Sequence, residues 1–410
     1  MKIIIKNADQ YIAFLGGVCG EIDSIRMLSN SPFSEHHIRK QLTMLTQNKV
    51  VRRHAYAEDS RFGAKRVMRL TGIAGEELAG NLSPELGWHY NLMVGKKGQR
   101  YKGNKQHRER MRRLFTLCQM MYETGVPVDM LEHNFKNAEL EENVKEKGAF
   151  ASFIKDKTIF DGEGELLNPK EILARAGTAR TYFFTSKALS RMNLQKDERG
   201  KVMMARSFGM LMKGPTMYTV YCCGDYAEIW WEGIERQMLL LTEKYRSEVF
   251  GVPRGGEGAA IVYTPDRKVA DEMFLPPKLI KNRINPTGVY GQGHVLPLTE
   301  NHLDIRAMLM RDNWKEESGR FLLKENYTPG QLYDGTMNGY EVYNFLTNDM
   351  VHMSKCRQRI KTKPSTLLIH EWQEETVRRY FGEDVQLIKF NENEFAALIG
   401  AIEEAEEEFL

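Results

Sequence analysis

Between residues 34 and 47, apolar side chains recur at Ile38, Leu42 and Leu45, the i, i+4, i+7 spacing of a helix with one buried stripe. At 100° per residue the opposite stripe is His36, Lys40, Thr43 and Gln47, flanked by His37 and Arg39. Ser34 is suited to cap this helix, and Glu35 to the positive end of its dipole. Asn48-Lys49 closes it. The period then changes. Val50–Ala57 predicts a strand carrying Arg52, Arg53 and His54, Glu58–Ala64 a turn with Arg61 and Gly63, and Lys65–Thr71 a returning strand that begins Lys65-Arg66. Upstream, Asn7–Cys19 predicts a helix with Tyr11, Phe14 and Leu15 apolar. Ser24–Ser29 predicts a short helix with Ile25, Met27 and Leu28, and Asn30-Ser31-Pro32 a turn.

Helices followed by a basic hairpin, and then Leu70-Thr71-Gly72 leading into another short helix, is the order of a winged helix-turn-helix. Its polar helix face carries the donors, acceptors and charge needed to read base edges and phosphates in a major groove. The alternative is a helix and hairpin packed inside a larger domain with solvated charges. Lys96–Arg113 is the most basic segment, with nine Lys and Arg and one Glu. Its first half, with Lys96, Lys97, Gly98, Arg100, Lys102 and Gly103, predicts a loop, and its second half runs into an apolar helix, Met111–Glu123. It is read either as extra phosphate contacts beside the wing or as a solvated charge run.

Beyond about residue 147 the pattern alternates between strand and helix. A strand or turn at Ala179–Phe184 precedes a short helix at Thr185–Arg191. Val202–Leu211 and Thr216–Cys223 form a hairpin through Lys213-Gly214-Pro215, and Ile229–Val249 is an amphipathic helix. Ala259–Tyr263, Val295–Leu298, Tyr340–Phe345, Thr366–Ile369 and Val385–Phe390 read as strands. Asp266–Phe274, Asn301–Asp312, Gln373–Tyr380 and Glu394–Leu410 read as helices. This alternation predicts an α/β domain with a central mixed sheet. The expected organisation is a winged helix-turn-helix over residues 1–80, a basic segment and helical connector over 81–147, and an α/β domain over 148–410.

Charge sharpens the division. The 410 residues carry a net +3, but residues 1–136 hold 22 Lys and Arg against 13 Asp and Glu, a balance of +9. The remaining 36 and 42 give residues 137–410 a balance of −6. A cationic first half points to a polyanionic partner. No apolar run approaches the roughly 20 residues that span a membrane, and the apolar part of MKIIIKNADQ is too short for a signal peptide. Five dispersed cysteines without a C-x-x-C pair indicate a reduced, cytoplasmic compartment and no zinc site.

The second half offers little recognisable chemistry. It lacks G-x-x-x-x-G-K-[ST], H-E-x-x-H and G-x-S-x-G, and Gly251–Gly258 lacks dinucleotide spacing. His370-Glu371, just after a strand, reads as a helix start. A metal-dependent nuclease needs carboxylates and a lysine gathered at a phosphodiester. The nearest set is Asp225 and Glu228 with Glu235 and Lys244, but the strands VMMARSFGMLM and TMYTVYCC contain no acidic residue. Asp225, Glu228 and Glu232 read as a loop and the exposed side of a helix. No enzymatic activity, cofactor or metal is expected.

The Ser34–Asn48 helix, the Arg52–Arg69 wing, Leu70-Thr71-Gly72 and the basic-to-apolar helix from near His107 resemble the replication-relaxation family of plasmid and conjugative-element proteins. The resemblance covers about the first 135 residues. It implies a winged helix joined to a restriction-endonuclease-like α/β domain, with Glu235-x₈-Lys244-Tyr245 on the helix after the hairpin. With the acidic strand positions missing, it implies an inactive nuclease-like domain that binds a partner. The expected function is that of a double-stranded DNA-binding accessory protein in plasmid replication or relaxosome assembly. Its partners would be DNA, a relaxase or replication protein, or a second copy of the chain, with no membrane. Alternatives are a ligand-responsive transcriptional regulator and a metal-dependent nuclease. The residues expected to contact DNA are His36, His37, Arg39, Lys40, Thr43, Gln47, Arg52, Arg53, Arg61, Lys65, Arg66, Lys96, Lys97, Arg100 and Lys102.

Overall fold

The computed structural model describes residues 5–20, 22, 27–28, 31–59, 63–70, 72–82, 86, 90, 105–124, 128–129, 181–186, 206–213, 216–224, 232–237, 239–240, 258–274, 284–299, 302–311, 313–328 and 332–407. Helix α1 (Ala8–Cys19) starts at Asn7, whose side chain accepts the Gln10 N–H at 3.1 Å. It ends at Gly20 in the left-handed region, φ 73°. Ten of its twelve residues are buried, because other elements pack around it. Two glycines let them approach: a Cβ on Gly16 would sit 2.9 Å from Leu70 Cγ, and one on Gly17 2.6 Å from Leu86 Cδ1.

Helix α2 (Glu35–Gln47) buries Ile38, Leu42 and Leu45, the stripe its sequence predicts. The Ser34 hydroxyl accepts the His37 N–H at 3.4 Å. Lys49, at φ 59°, turns the chain so that Val50 N–H reaches Leu45 O at 2.8 Å and Lys49 N–H reaches Thr46 O at 3.1 Å. This pair of bonds is a Schellman closure with lysine where glycine is usual. The antiparallel strands β1 (Val51–Asp59) and β2 (Gly63–Leu70) follow, with a bulge between Ala55 and Ala57. They run further than the sequence pattern predicts, pairing out to Asp59 and Gly63. Ile22 adds a one-residue bridge to β2, with Ile22 N–H donating to Met68 O at 2.8 Å and Met68 N–H to Ile22 O at 3.0 Å. Of the short helix expected at Ser24–Ser29, only 27–28 lie among the described residues, and they are helical. Helix α3 (Gly72–Leu82) closes the unit against α1.

Helix α4 (Lys105–Glu123) begins earlier than its apolar pattern alone indicates. Met111, Leu114, Phe115, Cys118 and Met121 lie in one core shared by α1, α2, β2 and the following sheet. That sheet has six strands in the order β3 (Val128–Asp129), β4 (Thr181–Thr185), β5 (Gly209–Lys213), β6 (Thr216–Cys222), β7 (Ala259–Thr264) and β8 (Gln292–Pro297). β4, β5 and β6 are antiparallel neighbours, whereas β3–β4 and β6–β7–β8 are parallel. Tyr218, Val220 and Cys222 face the α1–α4 core, and Tyr221 and Cys223 face the opposite one. Both faces are therefore covered, which explains the nearly unbroken apolar strands.

Helix α5 (Arg267–Met273), N-capped by Asp266, links β7 to β8. After α6 (Leu303–Met310) and α7 (Trp314–Leu323) comes a four-stranded sheet. Its strands β9 (Gly335–Met337), β10 (Tyr340–Asn344), β11 (Ser365–His370) and β12 (Gln386–Phe390) lie in that spatial order, with β10–β12 parallel. Helices α8 (Met350–Ile360) and α9 (Glu374–Phe381) connect the parallel strands, and α10 (Glu392–Glu407) packs with α7 over one face. The two sheets meet where the turn 347–349 adds to the edge of β8: Val295 N–H donates to Asn348 O at 2.9 Å and Gly293 N–H to the Asp349 carboxylate at 2.9 Å. The architecture is α/β with mixed sheets. Among the described residues no helix is long and apolar enough to cross a membrane.

Two glycines of α3 predict opposite outcomes. A Cβ on Gly75 would lie 2.7 Å from Leu70 Cβ and 3.1 Å from its backbone, whereas nothing lies within 4 Å of one on Gly80. In urea unfolding, Gly75→Ala is expected to destabilise by about 1–3 kcal/mol. Gly80→Ala is expected to stabilise by roughly 0.5–1 kcal/mol through helix propensity.

Candidate nucleic-acid interface

The face of α2 opposite its buried stripe lies open to solvent. His36, His37, Arg39, Lys40, Thr43 and Gln47 are all exposed, and Arg52 is exposed at the start of β1. Two of them are already engaged. Arg39 pairs with Glu35 one turn back, its Nε donating to Oε1 at 2.6 Å. Both side chains are more than half exposed, so the pair is weak and competes poorly with a phosphate. The Thr43 hydroxyl donates to Arg39 O at 2.9 Å, leaving its methyl and lone pairs available. Met44, 43% exposed, stands one turn from Lys40 and was missed by charge-based reasoning. Its signal in the sequence is an apolar residue off the Ile38–Leu42–Leu45 stripe, of the kind that packs on a thymine methyl.

Arg53, Lys65 and Arg66 belong to the paired strands of the hairpin: Arg53 lies opposite Met68, Ala55 opposite Arg66 and Ala57 opposite Lys65. Arg61, Lys96, Lys97, Arg100 and Lys102 fall outside the described residues. The later part of the basic segment behaves differently from a solvated run, since Arg110 and Arg113 turn towards the six-stranded sheet.

Among the described residues of the α/β part, Glu235, Cys356 and His370 each lie buried beside other titratable groups. Glu235, from the nuclease set considered above, is fully buried. One of its oxygens accepts the Arg206 N–H at 2.7 Å and the other the Tyr221 hydroxyl at 2.7 Å, which also meets Tyr290 Oη at 2.6 Å. Burial raises the Glu235 carboxyl above the ordinary glutamate range, against the lowering effect of those bonds and of Arg110 and Arg206. Cys356, His352, Asp334 and Lys315 group in another place. The Cys356 thiol lies 3.7 Å from His352 Nδ1, and Lys315 Nζ lies 3.3 Å from both His352 Nε2 and Asp334 Oδ1. Burial pushes the thiol up to about 12 and, with Lys315, pulls His352 down to about 4. The thiol keeps its proton near neutrality, so this is not an activated nucleophile. His370 ends β11 and starts a short 3₁₀ turn, Glu371–Gln373, as its position predicts. Its Nε2 is 3.1 Å from Asp304, which also accepts from Asn348 Nδ2 at 2.9 Å. Burial lowers the His370 pKa, so the ring is neutral and pins the strand end to α6.

All five cysteines are free and buried. Among the described residues, no group of three or more His, Cys, Asp or Glu is placed to hold a metal ion. No family model, curated protein or solved structure matches the chain.

The Glu235 carboxyl gives a pH signature. A group whose folded pKa is raised retains its proton in the folded chain after the unfolded chain has released it. The associated stability is present below the ordinary value of 4.5 and is lost as pH rises through the folded value. Glu235→Gln, which cannot ionise, is expected to gain stability relative to wild type as pH rises from 4.5 to 8. Glu235→Ala, which leaves the Arg206 N–H unsatisfied, should cost about 1–3 kcal/mol throughout. Denaturant midpoints across that pH range provide the check.

Proposed function

We propose that the N-terminal unit is a winged helix-turn-helix that docks on double-stranded DNA. In this proposal the chain is a cytoplasmic DNA-binding accessory protein of a plasmid or conjugative element, acting in replication or relaxosome assembly. The observation that carries the proposal is α2 itself: its apolar stripe is buried, and the opposite face, His36 to Gln47, is exposed and cationic. The antiparallel bridge between Ile22 and Met68 supports it further. A short strand between the first two helices, paired with the second hairpin strand, is what a winged helix requires. The tight closure at Lys49, which joins α2 directly to the hairpin, is compatible with helix and wing meeting one duplex. The α/β part binds a protein partner, such as a relaxase, a replication protein or a second copy of the chain.

Fluorescence anisotropy with labelled plasmid-origin duplexes at low salt tests this. Saturable binding whose log affinity falls linearly with log salt concentration is expected; no binding to any duplex at low salt would contradict it. Lys40→Ala and Gln47→Ala should relax sequence preference, each reducing discrimination at one base position by about 1–3 kcal/mol. Lys65→Ala should weaken binding to all sequences alike and reduce the salt slope by about one. Glu35→Gln releases Arg39 from its ion pair, so a few-fold tighter binding and a steeper salt dependence are expected in the same titrations.

A further inference from the structure

Of the apolar side chains on α2, Ile38, Leu42 and Leu45 are buried and Met44 is 43% exposed. Met44 stands one turn from both Lys40 and Gln47, which are exposed too. The preceding residue, exposed Thr43, donates its hydroxyl hydrogen to Arg39 O at 2.9 Å. A base therefore meets its methyl group and lone pairs, and no donor. Three kinds of group follow one another along this face: an ammonium at Lys40, the methyl and thioether of Thr43 and Met44, and an amide at Gln47. At 1.5 Å per residue they extend over about 10 Å, the length of roughly three base steps of 3.4 Å.

A helix in the major groove meets a different set of atoms at each base pair. Thymine alone among the four bases presents a methyl group there. Its partner adenine presents the N7 acceptor and the N6 donor, which a glutamine amide matches with its own donor and acceptor. Guanine presents two acceptors suited to an ammonium. Cytosine presents a donor, which a carboxylate accepts. The one carboxylate of α2 is Glu35, in the first turn and engaged with Arg39 at 2.6 Å. The face is thus equipped for T·A pairs beside a guanine, and not for cytosine.

We infer that Thr43 and Met44 read the 5-methyl group of thymine, so that α2 selects T·A pairs and distinguishes thymine from deoxyuridine at the same position. The inference rests on the proposed docking of α2 on DNA and adds what the helix selects there. Taking one methyl group out of water corresponds to about fourfold in affinity.

The test starts from duplexes that the full chain selects out of a random-sequence pool. The tightest-binding duplex is remade with deoxyuridine in place of each thymine in turn, which removes the methyl group and keeps the base pair, and fluorescence anisotropy gives the affinities. The wild type is expected to lose about fourfold at one position or more, and Met44→Ala to lose nothing at one of those positions. Met44 is exposed, so the variant should keep its melting temperature. At the position so identified, a 5-methylcytosine·guanine pair separates the two sources of a 5-methyl group. Retained affinity identifies the methyl alone as the determinant, and lost affinity adds the adenine that Gln47 matches. Equal affinity for the thymine and deoxyuridine forms at every position, or the same loss in Met44→Ala as in the wild type, would overturn the inference while leaving DNA binding intact. A selection that enriches no duplex would overturn it together with the proposed function.

Discussion

The structure depends on the burial of one face of α4. Met111, Leu114, Phe115, Cys118 and Met121 pack between α1 and the six-stranded sheet, so one hydrophobic core serves the N-terminal helices and the β4–β8 strands together. The leucine, phenylalanine and methionine side chains among them each contribute roughly 1.5–3 kcal/mol on leaving water. The two ends of the same helix are tied by polar contacts. Arg110 and Arg113 hold the strand ends near β4–β6, and Glu123 meets His302 Nε2 at 3.0 Å beside α6. A segment that composition marks as a basic connector is in the structure a central packing element. Of its cationic residues, Arg110 and Arg113 are fixed against the strand ends, whereas Lys96, Lys97, Arg100 and Lys102 precede the helix in sequence.

The parts of the fold legible in the sequence are those where local pattern and tertiary burial agree. The stripe Ile38–Leu42–Leu45 is buried as its spacing requires, the helices expected from Asn7 and Asp266 form with those residues as caps, and the hairpin through Gly214-Pro215 forms, its first strand being Gly209–Lys213 where Val202–Leu211 is expected. Elements with weaker local signals escaped. Helix α7 places Ser318 and Gly319 on its buried side, a choice explained by Tyr327, which lies 2.8 Å from where a Gly319 Cβ would stand. Helix α8 mixes His352, Lys355, Arg357 and Arg359 among its buried positions, and its charged residues find partners remote in sequence, such as Glu341 for Arg359. No local periodicity encodes such partners.

The candidate site was legible to the same extent. The exposed face of α2 follows from helical geometry and the position of its apolar stripe. Its internal contacts do not: the Glu35–Arg39 pair and the Thr43 hydroxyl bond to Arg39 O depend on rotamers. The arginine cluster at the sheet edge was invisible for a different reason. Arg110 meets Arg206, and Arg113 meets Cys222, from about a hundred residues away in sequence, and a charge run does not reveal which of its members turn inward.

In the proposed function α2 and the hairpin meet DNA, whereas the six- and four-stranded sheets do not. Hydrogen–deuterium exchange of the full chain, with and without a saturating origin duplex, measures this directly. Slowed exchange concentrated in Glu35–Gln47 and in the β1–β2 hairpin is the predicted result. No change there, or protection confined to the β4–β8 sheet, would contradict it.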